Sequence, residues 1–421
     1  MALKSSCSLT QSELQDFIKE NDVKFIRLSF VDLEGVHKNI SVMADEFSRV
    51  INQGLVFDGS LSAFGAENCD LKLFPDISTL HILPWRPQHG RVARFFCDVR
   101  KFDGGYAMFD VRSILRNAVN RLKEKDLSVS VGIGSEFYLF RLDQDGFPTR
   151  EVHDRAGYFD IAPLDKGENV RREICLTLEE MGIRPLASHH EKGPGQNEIN
   201  FVSTGALSAC DNQIIFKSVV KAAASRNGLF ASFLPKPLAD KNGNGLTVDF
   251  KLFRNEEPVF GENNDKTALS FAAGILNRAE EMCLLFNSIP NSFARLKGGD
   301  CAKEVSFSES GNRNAFMRLA VKNNAKRLEL RSVDGACNIY IVVALALLAG
   351  LEGIEKEESL PSETYLPESF SAAIEAAEKG EFLRRALGEE FVSHYIRLKK
   401  DLNDAFLQNP KATEEAAFAK F

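Results

Sequence analysis

Between Asn242 and Phe253 the chain reads NGNGLTVDFKLF, a turn followed by strict alternation. Leu246, Val248, Phe250 and Leu252 face one way, and Thr247, Asp249 and Lys251 face the other. A period of two predicts a strand buried on one side. The two glycines bracketing Asn244 suit a turn with positive φ. Three further stretches repeat the pattern. From Val131, VGIGSEFYLF sets Val131, Ile133, Phe137 and Leu139 on one face and Gly132, Gly134, Glu136 and Tyr138 on the other. GQNEINF aligns Gln196, Glu198 and Asn200, and RLELRSV places Arg327, Glu329 and Arg331 against Leu328 and Leu330.

A solvated face on an antiparallel sheet is the plain explanation for any one such strand. Taken together, these faces use glutamate, arginine and glycine rather than a lysine-rich mixture. That chemistry fits a site for divalent metal and anionic substrates. Hard cations take oxygen ligands, and phosphates and carboxylates take bidentate arginine.

The rest of the pattern predicts an α+β chain. Thr10 and Glu13 form a capping-box signature ahead of a helix ending near Asn21. VKFIRLSFVD and VHKNISV read as strands of a hairpin, followed by a short helix near Asp45 to Gln53 and by strands ending at RVARFFCDV. This outlines a small α+β unit over residues 1–105, with KFDGGY, Lys101 to Tyr106, as the linker to a larger unit over 106–421. Helices are predicted in the larger unit at Val111–Lys125, Asn169–Met181, Cys210–Arg226, Lys266–Leu285 and Ile339–Ile354, with more after Pro367.

Composition narrows the function. A net charge of −7 argues against nucleic acid as a partner. The longest apolar run, from Ile339, is too short to span a bilayer, so no membrane association is expected. The N-terminal residues lack the apolar core of a signal peptide. Eight cysteines without CxxC spacing point to a reducing cytoplasm and away from a zinc cluster.

FDGS, SEFYLF, SHHEKGPGQNEINF, FLPKP with NGNGL, NSFARL, GNRNAFMR and RLELRSVDGACNIY occur in the order and rough spacing of glutamine synthetase. The chain resembles that family from about residue 15 to 405. The resemblance implies the glutamine synthetase fold, a β-grasp domain followed by a catalytic domain on a curved antiparallel sheet. It also implies a homo-oligomeric ring, a decamer or dodecamer, with active sites shared between neighbours. The implied activity activates glutamate with ATP as an acyl phosphate, which ammonia then displaces, with Mg²⁺ or Mn²⁺ offsetting phosphoryl charge.

Carried over by motif, Glu136, Glu191 and Glu198 would hold one ion, and Glu329 would belong to the second. Arg295, Arg313 and Arg331 sit where the family holds the amino-acid carboxylate and the transferred phosphate. Arg318 and Arg327 match its nucleotide-phosphate arginines, and Asn242 and Gly243 match the loop that receives the substrate amino group. Asp58 matches the aspartate that crosses to the adjacent subunit and helps bind and deprotonate ammonium.

The departures cluster. Where the family has the other second-ion ligands, this chain has Gly134 and Thr247. A histidine and a serine near the nucleotide are replaced by Asp249 and Lys251, and the flap glutamate falls at Cys301, beside Asp300. A weak or absent second metal follows, with Lys251 or Lys297 as substitute positive charge and Asp300 as substitute flap acid. His189 and His190 are candidates for oxyanion stabilisation or for packing. The expected function is an ATP-dependent carbon–nitrogen ligase joining a glutamate-like acid to ammonia or an amine. The alternatives are an impaired paralogue acting as regulator or scaffold, and a one-metal amide hydrolase.

Overall fold

The computed structural model describes residues 10–61, 70–86, 88–260, 266–298, 305–309, 312–322, 325–362 and 364–421. The chain divides into two compact units, Met1–Ile114 with Leu176–Arg184, and Leu115–Cys175 with Pro185–Phe421. Lys101 to Tyr106 forms a tight turn closed by Lys101 N–H on the Gly105 carbonyl at 2.8 Å, and the first unit runs on to Ile114.

In the first unit, helix Gln11–Glu20 starts on the expected capping box of Thr10 and Glu13. Six strands follow: β1 (Val23–Val31), β2 (His37–Met43), β3 (Leu55–Asp58), β4 (Asp70–Pro75), β5 (His81–Ile82) and β6 (Arg91–Arg100). They form one mixed sheet in the order β2-β1-β6-β4-β3, with β5 also on β6. β1 and β6 run parallel, and the other pairs are antiparallel. Helix Phe47–Gln53 lays Phe47 flat on Phe95, ring centroids 4.7 Å apart, which anchors it to the sheet.

The second unit is built on an eleven-stranded sheet. Its strands are β7 (Leu127–Leu142), β8 (Pro148–Val152), β9 (Pro185–His190), β10 (Gln196–Phe201), β11 (Thr204–Gly205), β12 (Leu229–Ser232), β13 (Leu246–Arg254), β14 (Glu257–Pro258), β15 (Phe307–Ser308), β16 (Met317–Lys322) and β17 (Ala325–Leu330). The main path is β15-β16-β17-β13-β7-β10-β9. β7 is the spine, paired with β13 along one edge and β10 along the other.

The alternation predicted for β13 is present: Leu246, Val248, Phe250 and Leu252 are buried, and Thr247, Asp249 and Lys251 are half-buried. On the apolar face Phe250 packs on Phe271 of helix Lys266–Leu276, ring centroids 6.0 Å apart, and helix Ile339–Glu355, capped by the Asn338 side chain, is buried along most of its length. The predicted helix Lys266–Leu285 is broken in two, Lys266–Leu276 and Ala279–Phe286. Arg278 sits at the break, and its guanidinium reaches Glu352 at 2.9 Å and Glu358 at 2.8 Å. These pairs anchor the break to the 339–355 helix and to the residues just after it, a tertiary contact that local apolar periodicity does not report.

Candidate active site

Register decides which groups meet. Glu136 on β7 lies directly opposite Glu198 on β10, and Glu198 lies opposite His189 on β9. Directly opposed residues on one face have Cβ atoms about 5 Å apart. Glu191 follows β9 and is drawn in by its N–H on the Gln196 carbonyl at 2.8 Å. The His189 ring stands 3.3 Å from Glu198 and 3.5 Å from Glu191. Ligand atoms of His189, Glu191 and Glu198 all lie within 4.8 Å of one another, a span that one metal ion can bridge.

The electrostatics agree with that geometry. Burial first, then the nearby Glu198 and Glu191 charges, push the Glu136 carboxyl well above its usual range. Burial and Glu198 push Glu191 to about 7. Burial also works on Glu198, but hydrogen bonds from His189 and Glu191 outweigh it and hold Glu198 low. Convergent carboxylates that repel one another at neutral pH are what a divalent cation relieves. The donor set fits a magnesium- or manganese-like ion.

His190 is not an oxyanion donor. It is buried, with Nδ1 at 2.7 Å from the Glu191 carbonyl and Nε2 at 2.9 Å from Asp154. Both partners accept, so both ring nitrogens donate. Burial opposes charge on this ring, but the Asp154 bond outweighs it and raises its pKa.

The 242–245 turn forms the next wall. The Tyr138 hydroxyl donates to the Asn242 carbonyl at 2.6 Å, and the Asn244 side chain donates to the Ser232 and Leu234 carbonyls. Gln196 binds the turn to the acid cluster: its Nε2 reaches Glu136 at 3.1 Å, the Gly243 carbonyl at 3.0 Å and Asn244 Oδ1 at 3.2 Å. Gly245 N–H donates to Glu136 at 2.8 Å. The glycines are not there for positive φ, as the sequence suggested, because neither adopts it. They serve close approach. A Cβ on Gly243 would stand 2.6 Å from the Pro235 carbonyl and 2.7 Å from Arg295 Cγ.

Arg295 is buried, with Nη2 on the Asn287 side chain at 3.3 Å and on the Ser332 carbonyl. A Cβ on Gly245 would lie 3.6 Å from Glu136 and 3.8 Å from Arg295 Nη1, so Gly245 separates the acid from the guanidinium.

A second charged group occupies the far side of the same sheet face. Asp249 on β13 opposes Glu329 on β17, which opposes Arg318 on β16. Glu329 Oε1 accepts from Arg318 Nε at 2.8 Å and from Arg331 Nη1, and Oε2 accepts from Arg318 Nη2 at 3.1 Å and Arg327 Nη2 at 3.3 Å. Arg327 also pairs with Asp249 at 2.8 Å. Burial raises Glu329, but the Arg318 and Arg331 guanidiniums overcome it and bring the carboxyl down to about 2. Glu329, which the resemblance places at the second ion, accepts from three arginines here.

The remaining sequence-derived positions fall as follows. Lys251 is half-buried opposite Ser130 on β7, and Arg313 is exposed while its carbonyl accepts from Arg331 Nε at 2.7 Å. Asp58, in the first unit, accepts from Ser60 N–H at 2.9 Å and the Ser60 hydroxyl at 2.6 Å. Asp300 and Cys301 lie outside the described residues. Sequence reasoning missed the roles of Gln196, Asn244 and Asp154. Gln196 did carry a signal, since it alternates in phase with Glu198 and Asn200. Among the described residues no helix is long and apolar enough to cross a membrane.

Comparison with known proteins agrees. Residues 22–102 match the glutamine synthetase β-grasp domain, and residues 108–417 match the glutamine synthetase catalytic domain. A glutamine synthetase of Clostridium saccharobutylicum is 38% identical over 413 residues, 92% of this chain and 93% of the relative. One of Methanosarcina mazei is 38% identical over 417 residues, 93% of each chain. Among solved structures, a GmaS/ADP complex superposes with a TM-score of 0.85 at 28% identity, covering 94% of this chain and 96% of the other. A Plasmodium falciparum glutamine synthetase, at 23% identity, shares the fold with a TM-score of 0.86, covering 96% of this chain and 98% of that one. With its two-unit architecture, its convergent carboxylates and matches over most of its length, the chain belongs to the glutamine synthetase family.

Proposed function

We propose that this chain is an ATP-dependent carbon–nitrogen ligase that joins a glutamate-like carboxylate to ammonia or an amine through an acyl phosphate. The observation that carries the reading is the convergence of His189, Glu191 and Glu198, with Glu136 directly opposite Glu198, beside a sheet face that also bears a cluster of guanidiniums. A divalent ion held by Glu136, Glu191 and Glu198 would supply positive charge against phosphoryl oxygens.

The chain's own groups do the rest. Arg318, Arg327 and Arg331 present guanidiniums to phosphate oxygens, a pairing for which their planar forks suit. The Gly243 carbonyl, bonded by Gln196 Nε2, lies in the turn that matches the family's loop for the substrate amino group. Arg295, braced by Ser332 and Asn287, keeps the turn and Glu136 in place for the acid substrate. In the reaction the γ-phosphoryl group moves to a substrate carboxylate oxygen and ADP departs. The nitrogen lone pair then forms the C–N bond, the C–O bond to phosphate breaks, and the nitrogen gives up a proton.

Asp58, from a neighbouring copy in a ring, serves the nitrogen substrate in this reading. The family position that carries the flap acid is Cys301 here, which favours an amine that brings its own basicity over ammonium. ADP release measured with glutamate and a broad panel of amines tests the proposal. ADP formation that requires both acid and nitrogen source, and that Glu198→Gln abolishes, is expected. No acid- and amine-dependent ADP leaves the impaired paralogue, and amide hydrolysis without ATP leaves the hydrolase. Ammonia outpacing every amine overturns the amine preference.

A further inference from the structure

One row of side chains runs across the sheet beside the carboxylate cluster, and its members leave no seat for a second cation. Asn200, Gly134 and Thr247 are register partners on β10, β7 and β13. A side chain on Gly134 would collide with Asn200 Oδ1, lie 2.7 Å from Thr247 Oγ1 and lie 3.2 Å from Glu198. The glycine is therefore not a gap waiting for a ligand. Its neighbours have grown into the space.

The next positions in the row are charged and mutually satisfied. Asp249 leans over Gly132, whose Cβ would stand 3.4 Å from an Asp249 carboxylate oxygen, and pairs with Arg327 at 2.8 Å. Glu329 carries about four acceptor lone pairs, and four N–H donors from Arg318, Arg327 and Arg331 take them. A cation approaching Glu329 would have to displace those donors and then stand among three guanidiniums.

We infer that this site holds a single divalent cation, at Glu136, Glu191 and Glu198, and that the Asp249–Arg327–Glu329–Arg318 chain of ion pairs fills the place beyond it with permanent guanidinium charge. This rests on the ligase reading above but concerns the site's inventory rather than its reaction. The nucleotide's phosphates then meet one exchangeable cation and three fixed ones. The Lys251 and Lys297 substitutes expected from sequence are not needed, because Arg327 already lies between the two acids.

The test is a count. Mn²⁺ is titrated into the purified full chain, alone and with a non-hydrolysable ATP analogue, and bound ion is followed by electron paramagnetic resonance. One Mn²⁺ per chain without Mn–Mn coupling is expected in both cases. Two coupled ions would overturn the inference and leave the ligase reading standing, whereas one ion with no acid- and amine-dependent ADP would do the reverse. No bound Mn²⁺ would overturn the inference and remove the metal from the proposed site. Glu329→Gln should leave the count at one and the affinity within threefold, while Glu198→Gln should abolish binding. A tenfold loss in a Glu329→Gln protein that still melts cooperatively would make Glu329 a ligand after all. The count on the unaltered chain stands whether or not that variant folds.

Discussion

Asp154 never faces the site, yet it fixes a residue that does. It accepts from His190 Nε2 at 2.9 Å and from Gly195 N–H at 2.9 Å, while His190 Nδ1 donates to the Glu191 carbonyl. The Glu191 backbone is thus held from behind by a buried imidazolium–carboxylate pair. Groups that orient a metal ligand are commonly worth a factor of about 10–100 in affinity. Asp154→Asn should weaken Mn²⁺ binding about tenfold by titration calorimetry, with the number of ions unchanged. At this scale sequence was a partial guide. SHHE marked the place, but nothing in two adjacent histidines says which faces the acids and which faces the core, because that depends on where β9 ends.

Elements carry the site by register. The alternation in β13 was readable from the chain because one face packs on the core, and a shift of one residue in β7 would turn Glu136 inward. The helix break at Asn277 and Arg278 was not readable, since the acids that anchor Arg278 are far away in sequence. Nor was the reason for three buried glycines between helices Lys266–Leu276 and Ile339–Glu355. A Cβ on Gly274 would collide with the Ala349 carbonyl and stand 2.8 Å from Gly353 Cα. These obstacles are backbone, so they cannot rotate away. Gly274→Ala should cost about 2–3 kcal/mol, read as a lowered thermal or urea midpoint, although alanine is the better helix former in isolation.

For the molecule as a whole, the sequence carried the family and both structural classes of unit, because seven motifs in order are long-range information that a single spacing is not. Only part of the arginine capture of Glu329 was legible: Arg327 and Arg331 flank it on one strand face, whereas Arg318 meets it only once β16 and β17 are paired. Global stability should respond to acid through a different network. Burial raises Glu352, but bonds from Lys356, Arg385 and Arg278 outweigh it and bring its carboxyl from 4.5 to about 2. A folded value below the unfolded one stabilises fully above pH 4.5, and the contribution disappears as pH falls from 4.5 towards 2. Melting temperature should drop through that window, and Glu352→Gln should flatten the part of the slope that this group supplies.

The arginines around Glu329 have a practical edge. Three guanidiniums gather around the Glu329 and Asp249 carboxylates, and their excess positive charge is what small polyanions in solution will seek. Purification liquors containing sulfate, citrate or inorganic phosphate will therefore compete with nucleotide, and an apparent failure to bind ATP in such a buffer would report on the buffer. Exchange into a zwitterionic buffer with chloride or acetate as counterion is the condition under which this protein should first be judged.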